Sequence, residues 1–156
     1  MILPAQTIRK LGIVTPFFER TLAHGRSFGL SSAGYDIRLA EGAKFWHGCT
    51  VLVWSIEHFA MPADVLGRVT DKSTNKRLGL SVGNTVIEPG WRGCLQLEPV
   101  WHRFFWQLDQ HLFLAAGTPI AQVIFERLEE ATEQPYAGKY QDQEPGLRPA
   151  IIEAAA

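Results

Sequence analysis

Glu98 ends a run of alternating side chains, Cys94-Leu95-Gln96-Leu97-Glu98. In an extended strand this places Cys94, Gln96 and Glu98 on one face and Leu95 and Leu97 on the other, the face expected to meet the core. A carboxylate held on a strand rather than a loop is rigid enough for general acid/base work, taking a proton from water and returning one to a leaving group. The plain alternative is an exposed strand glutamate. Upstream, Pro89-Gly90 makes a tight turn and Gly93 permits close backbone approach to a ligand.

Two other stretches carry chemistry-bearing residues. Asp71-Lys72-Ser73-Thr74-Asn75-Lys76-Arg77 combines hydroxyls and cations in one short segment. Such a segment can donate several hydrogen bonds to phosphate oxygens, with Arg77 able to do so bidentately; otherwise it is a solvated charged turn. Gly138-Lys139-Tyr140-Gln141-Asp142-Gln143 offers a lysine, an aromatic ring and amides that can close over a nucleotide, or else it is a disordered end.

The elements that must position these groups read as mainly β. Pro4 and Gly12 bracket a helix over 4–11. Residues 13–33 show no sustained period and read as loop with short extended pieces. Strand signals follow at 34–39, 51–54, 57–60 and 65–69, the last two separated by the Met61-Pro62-Ala63-Asp64 turn. Residues 71–78 read as a short helical turn or loop between strands, then strands at 80–86, 93–100, 111–116 and 119–128. The cluster Trp101, Phe104, Phe105 and Trp106 can stack a base, but reads more readily as core or subunit interface. From Glu129 the chain is polar and Pro-rich, a tail ordered only if something holds it.

Composition narrows the function classes. The chain has 156 residues, 15 Lys+Arg against 16 Asp+Glu and a formal net charge of −1. That is one domain's worth of sequence, 1–156, without the charge excess of a duplex-binding protein, and no nucleic-acid partner is expected. No apolar run reaches the roughly 18 residues of a membrane span, and MILPAQTIRK lacks the apolar core of a secretion signal. No membrane partner and a cytoplasmic location are therefore expected. Cys49 and Cys94 are expected as reduced thiols. Zinc is not expected: the H-x-E and P-C-x-x-C pattern of zinc deaminases is absent, as are Walker, dinucleotide-binding and G-x-S-x-G motifs.

Taken together and in order, these segments resemble the dCTP deaminase branch of the trimeric dUTPase superfamily, from about Ile13 to Pro149. The resemblance rests on PFFER (16–20), LSSAGYDIRLA (30–40), DKSTNKRLGL (71–80), NTVIEPGWRGCLQLE (84–98), GTPIAQVIF (117–125) and GKYQDQEPG (138–146). It implies a distorted β-barrel or jelly roll of the dUTPase-like β-clip kind, with a short N-terminal helix, assembled as a homotrimer with active sites between subunits. It implies deamination of dCTP to dUTP and ammonia, with Mg²⁺ carried mainly on the substrate phosphates, no protein metal ligands and no zinc. By position Glu98 matches the catalytic glutamate, and Ser73 and Arg77 the residues that position the water and polarise the site. Lys72 matches a phosphate contact; Asn84 and Thr85 fall where the pyrimidine edge is read. Thr74, Glu88, Gln122 and Tyr136 complete the substrate-binding set, with Lys139, Tyr140 and Gln143 on an arm, 129–156, that closes over the nucleotide. Many relatives are inhibited by dTTP, which is an expectation here too.

Four departures qualify the resemblance. The chain is short between GYDIRLA and VLVWS. Glu98 is followed by Pro99-Val100-Trp101, and proline removes a ladder donor beside it. The following hairpin, WHRFFWQLDQ, is longer and more aromatic, and Asn84 replaces a small or apolar residue. The last two raise a 5-substituted dCTP as substrate. Two rival readings stand beside deamination. One is a dUTPase, or a bifunctional enzyme giving dUMP and pyrophosphate; against it, Glu88 occupies the position of a dUTPase aspartate and its extra methylene displaces the carboxylate. The other is a non-catalytic nucleotide-binding relative.

Overall fold

Pro4 and Gly12 do bracket a helix, α1 (Ala5–Leu11): Pro4 is extended, and Gly12 ends it in the left-handed region at φ 63°. The computed structural model describes residues 1–83 and 85–153, so the expectation for Asn84 lies outside the described residues. After α1 come β1 (Val14–Thr15), β2 (Thr21–Ala23), β3 (Arg26–Ser31), β4 (Gly34–Arg38), β5 (Ala43–Trp46), β6 (Val53–Ala60) and β7 (Val65–Asp71). The second helix, α2 (Ser73–Lys76), is a single turn. It is followed by β8 (Leu80–Ser81), β9 (Val86–Ile87), β10 (Arg92–Leu97), β11 (Val100–Trp101), β12 (His111–Leu114) and β13 (Pro119–Arg127).

Every pairing between strands is antiparallel. The largest sheet runs β2-β3-β4-β13-β7-β9; β6 lies between β1 and β10 in a second; β11-β8 and β12-β5 form two-stranded pairs. Among the described residues the strands form these sheets and do not close into one barrel, where the resemblance implied a distorted β-barrel or jelly roll; the mainly β make-up with a short N-terminal helix is as expected. The two-residue strands β1, β8, β9 and β11 are too short to carry a ladder from one sheet to the next. Segment 13–33, expected to be mostly loop, contains the β2–β3 hairpin, turned by His24 at φ 48° and Gly25 at φ 70°. The expected strand over 80–86 is broken: β8 pairs with β11 and β9 with β7, and between them the Val82 amide donates to Asp71 Oδ1 at 2.6 Å.

The core joins the inner faces of the sheets through Tyr35, Ile37, Phe45, Phe59, Val69, Leu97, Trp101 and Phe125, all essentially inaccessible. Burial pushes the Tyr35 hydroxyl up to about 12, and it is hydrogen-bonded at both ends, accepting from the Phe18 amide (2.9 Å) and donating to the Pro16 carbonyl (3.3 Å).

Charge also crosses the sheets. At the end of β4, the Arg38 amide donates to Glu57 Oε2 at 2.8 Å and its Nε to Oε1 at 2.7 Å; Glu57 is on β6 and 0% exposed. The Arg38 guanidinium also lies 4.7 Å from the Phe18 ring centre and 4.4 Å from that of Phe28. Burial raises the Glu57 carboxyl, and its bonds to Arg38 pull the other way. Losing one partner of such a pair strands the other charge without compensation. Arg38→Met is therefore expected to lower stability by about 3–5 kcal/mol in urea denaturation; a loss under about 1 kcal/mol, the range of an exposed pair, would contradict this.

Candidate functional site

Strand β10 builds the site because it has a free edge. One edge pairs with β6, with Gly93 opposite Phe59 and Leu97 opposite Val53. The register shifts between Cys94 and Gln96, where β6 sets Ser55-Ile56-Glu57 against the single residue Leu95. The Ser55 hydroxyl fills this bulge, accepting from the Leu95 amide at 3.0 Å and donating to the Glu57 carbonyl at 2.7 Å.

The arm lies along the other edge. Cys94 N donates to the Gln143 carbonyl at 2.8 Å, and Gln143 Nε2 donates to the Cys94 carbonyl at 2.9 Å. Tyr136 N donates to the Pro89 carbonyl (2.8 Å) and Trp91 Nε1 to the Tyr140 carbonyl (2.7 Å). Gln96 grips the Arg148 backbone twice, accepting from its amide at 2.8 Å and donating to its carbonyl at 3.0 Å. Arg92 and Asp142 form a bidentate ion pair at 2.8 and 2.9 Å. Asp142 stands at φ 55°, a left-handed conformation usually left to glycine, so that pair offsets local strain. Gly93 is required by the approach: a Cβ there would sit 2.8 Å from the Gln143 nitrogen. Residues 129–153 are thus held against the domain by backbone pairs at Ala63, Pro89, Arg92 and Cys94 and by a larger number of bonds that use a side chain.

Beneath the arm is a cavity of about 430 Å³. Thr85, Val86, Ile87 and Glu88 form one wall; Leu95, Gln96 and Glu98 form another; Tyr136, Tyr140, Gln143 and Arg148 roof it. Leu52 and Trp91 add apolar surface. Glu98 lies one residue past the end of β10, not within the strand as expected, and is exposed, yet burial by the protein around its carboxyl raises its pKa. A carboxyl shifted upwards at the edge of a partly apolar cavity is suited to general acid/base work.

The expected residues separate into two groups. Thr85, Glu88, Glu98, Tyr136, Tyr140 and Gln143 meet at the cavity. Lys139 is beside it on the arm, donating to the Ile151 carbonyl at 2.5 Å. Ser73, Thr74 and Arg77 are exposed on or beside α2 and do not line this cavity. Lys72 is buried and ion-paired with Asp36, and Gln122 on β13 donates to the Ser31 hydroxyl at 3.2 Å; neither reaches the cavity. Cys94, expected on the Glu98 face, is buried where the arm covers β10, and burial raises its thiol pKa. Leu95, expected purely as core, is buried and also lines the cavity. Gln96, Trp91 and Arg148 were not expected in the site. The alternation that puts Gln96 on the Glu98 face was the available signal for Gln96; nothing local marks Arg148. In the aromatic hairpin Trp101 is core, while Phe105 and Leu108 are 92% and 91% exposed and none of the hairpin lines the cavity.

A family model described as dCTP deaminase-like matches residues 32–128. The chain belongs to that family. It is 34% identical to a dCTP deaminase of Campylobacter hominis, covering 92% of this chain and 90% of the relative, and 33% identical to one of Thermococcus sibiricus, covering 90% and 92%. The fold is similar to that of the crystal structure of 2′-deoxycytidine 5′-triphosphate deaminase from Agrobacterium tumefaciens, at a TM-score of 0.61 and 21% identity over 80% of this chain and 47% of that one. It is also similar to the EIAV dUTPase, at a TM-score of 0.57 and 18% identity over 81% of this chain and 97% of that one.

If the Gln96 grip holds the arm down, Gln96→Ala should speed tryptic cutting after Lys139 by roughly tenfold, the equivalent of about 1.4 kcal/mol of lost hydrogen bonding. The urea midpoint should barely move. Unchanged cutting would show that the arm is held elsewhere.

Proposed function

We propose that the protein deaminates dCTP hydrolytically to dUTP and ammonia as a cytoplasmic homotrimer. The observation that carries this reading is the pKa-raised Glu98 at the mouth of a cavity shared by the Thr85–Glu88 wall and the arm. Relatives named dCTP deaminase, matching about nine-tenths of the chain, supply the substrate class. Water attacks C4 of cytosine as Glu98 takes its proton, and the same carboxyl then gives a proton to the departing amine. Tyr136, Tyr140 and Gln143 exclude bulk water over the base, which strengthens every polar contact beneath them. Ser73, Thr74 and Arg77, exposed outside the cavity, serve the site of a neighbouring subunit, positioning the water and the triphosphate.

Mg²⁺ belongs to this reading as a companion of the triphosphate. The exposed carboxylate of Glu88 at the cavity offers the hard oxygen chemistry that Mg²⁺ prefers, and the ion's role is to neutralise phosphate charge. dTTP, alike in its sugar and triphosphate, is expected to compete at the same site. A 5-substituted cytosine is included in the substrate class, tested by 5-methyl-dCTP beside dCTP. Glu88 also supports a second reading, in which dUTP goes on to dUMP and pyrophosphate, because its carboxylate lines the same cavity.

Incubation with dCTP and Mg²⁺, resolved by ion exchange, should give a dUTP peak that falls by roughly 10²–10⁴-fold in Glu98→Gln. dUMP would establish the bifunctional reading; turnover of dUTP alone would make the protein a dUTPase, and no turnover of dCTP, 5-methyl-dCTP or dUTP would leave a nucleotide-binding protein. Because Glu98 must be ionised to take the first proton, kcat/KM should fall as pH drops through its raised pKa. The acid limb should lie above the ordinary value of 4.5. An acid limb at or below 4.5 would remove Glu98 from the base role.

A further inference from the structure

Around α2 the side chains alternate between inward and outward roles at helical spacing. Lys72 and Asn75 point in and are buried; Ser73, Thr74, Lys76 and Arg77 are exposed. Asn75 Nδ2 donates to the carbonyls of both Pro119 and Ile120 at 2.9 Å, fixing the turn to β13. The Lys72 ammonium is ion-paired with Asp36 Oδ2 on β4 and lies 3.2 Å from the Ser27 hydroxyl on β3. Its side chain is 10% exposed and that of Asp36 is 7%.

We infer that Asp36 is a positioning residue for the proposed reaction: through Lys72 it fixes the backbone from which Ser73 and Arg77 project. This inference rests on the deaminase reading of those two residues. A buried pair of opposite charges gains little net stability, because desolvation offsets attraction. Here Asp36 Oδ1 is buried without a hydrogen-bond partner among the described residues, so the pair is not satisfied in full. What the pair does supply is a fixed location, at the residue just before the exposed serine. It also occupies the ammonium that would otherwise be free for phosphate. Asp36 and Asn75 together tie one short turn to adjacent strands of the same sheet, β4 and β13. Reorientation of α2 would carry Ser73 and Arg77 with it, and displacement of about 1 Å can cost on the order of 100-fold in rate.

The test compares Asp36→Asn and the milder Ser27→Ala with the wild-type protein. Steady-state kinetics with dCTP are paired with dCTP affinity measured in a Glu98→Gln background and with amide exchange over 73–79. Positioning predicts a roughly 10–100-fold fall in kcat for Asp36→Asn, an affinity change under about threefold, and faster exchange over 73–79. Ser27→Ala should shift in the same direction by less, and it carries the comparison if Asp36→Asn does not fold. Direct phosphate binding by Lys72 predicts the reverse: freeing the ammonium tightens dCTP, spares kcat and leaves exchange unchanged. That result would overturn the inference. If the wild-type protein does not turn over dCTP, the deaminase reading fails by itself, and the positioning role in that reaction falls with it; exchange over 73–79 then reports only whether Asp36 anchors the turn.

Discussion

The buried contact between Arg38 and Glu57 fixes how the two main sheets meet. It joins the end of β4 to the bulged part of β6, and its neighbours reinforce the junction: Ala40 N donates to the Trp54 carbonyl at 2.9 Å, and Leu39 bridges to Ser55. The bulge is where Ser55 sets the register of β10 through the Leu95 amide. That register decides which β10 side chains reach the cavity. The buried Glu57 carboxylate, held by a guanidinium that packs on Phe18 and Phe28, thus belongs to the same bulge that sets β10, the strand that leads into Glu98.

The free edge of β10 is completed from within the same chain. An unpaired edge invites association, and here the arm covers it with the Cys94–Gln143 bonds and the Gln96 grip on Arg148. The arm also roofs the cavity that Glu98 lines. The hold combines the close backbone approach permitted at Gly93 with side-chain bonds from Trp91, Arg92, Gln96, Gln141 and Gln143.

Elements with strong local signals were legible in the sequence. Pro4 and Gly12 bounded α1, alternation marked β4 and β10, and the turn at 61–64 separated β6 from β7. The β2–β3 hairpin was not, because His24-Gly25 is a weaker turn signal than Asn-Gly and β2 has no buried stripe. The interruption after Ser81 was equally hidden, since it involves the Asp71 carboxylate, eleven positions from Val82 in sequence but adjacent in the fold. Within the site, Glu98, Tyr140 and Gln143 could be singled out by type and order of motifs. Arg148 could not, because it takes part through its backbone. The burial of Lys72 was invisible for a related reason: its partner, Asp36, belongs to a distant strand.

In the proposed reaction the site is divided between copies of the chain, with Glu98 and the arm from one and Ser73 and Arg77 from another. Co-expression of Glu98→Gln with Arg77→Ala chains, each inactive alone, tests this most directly. Random assembly that pairs an intact cavity with an intact α2 of its neighbour should restore about a quarter of wild-type dCTP turnover. No recovery from assemblies shown to contain both variants would contradict a divided site.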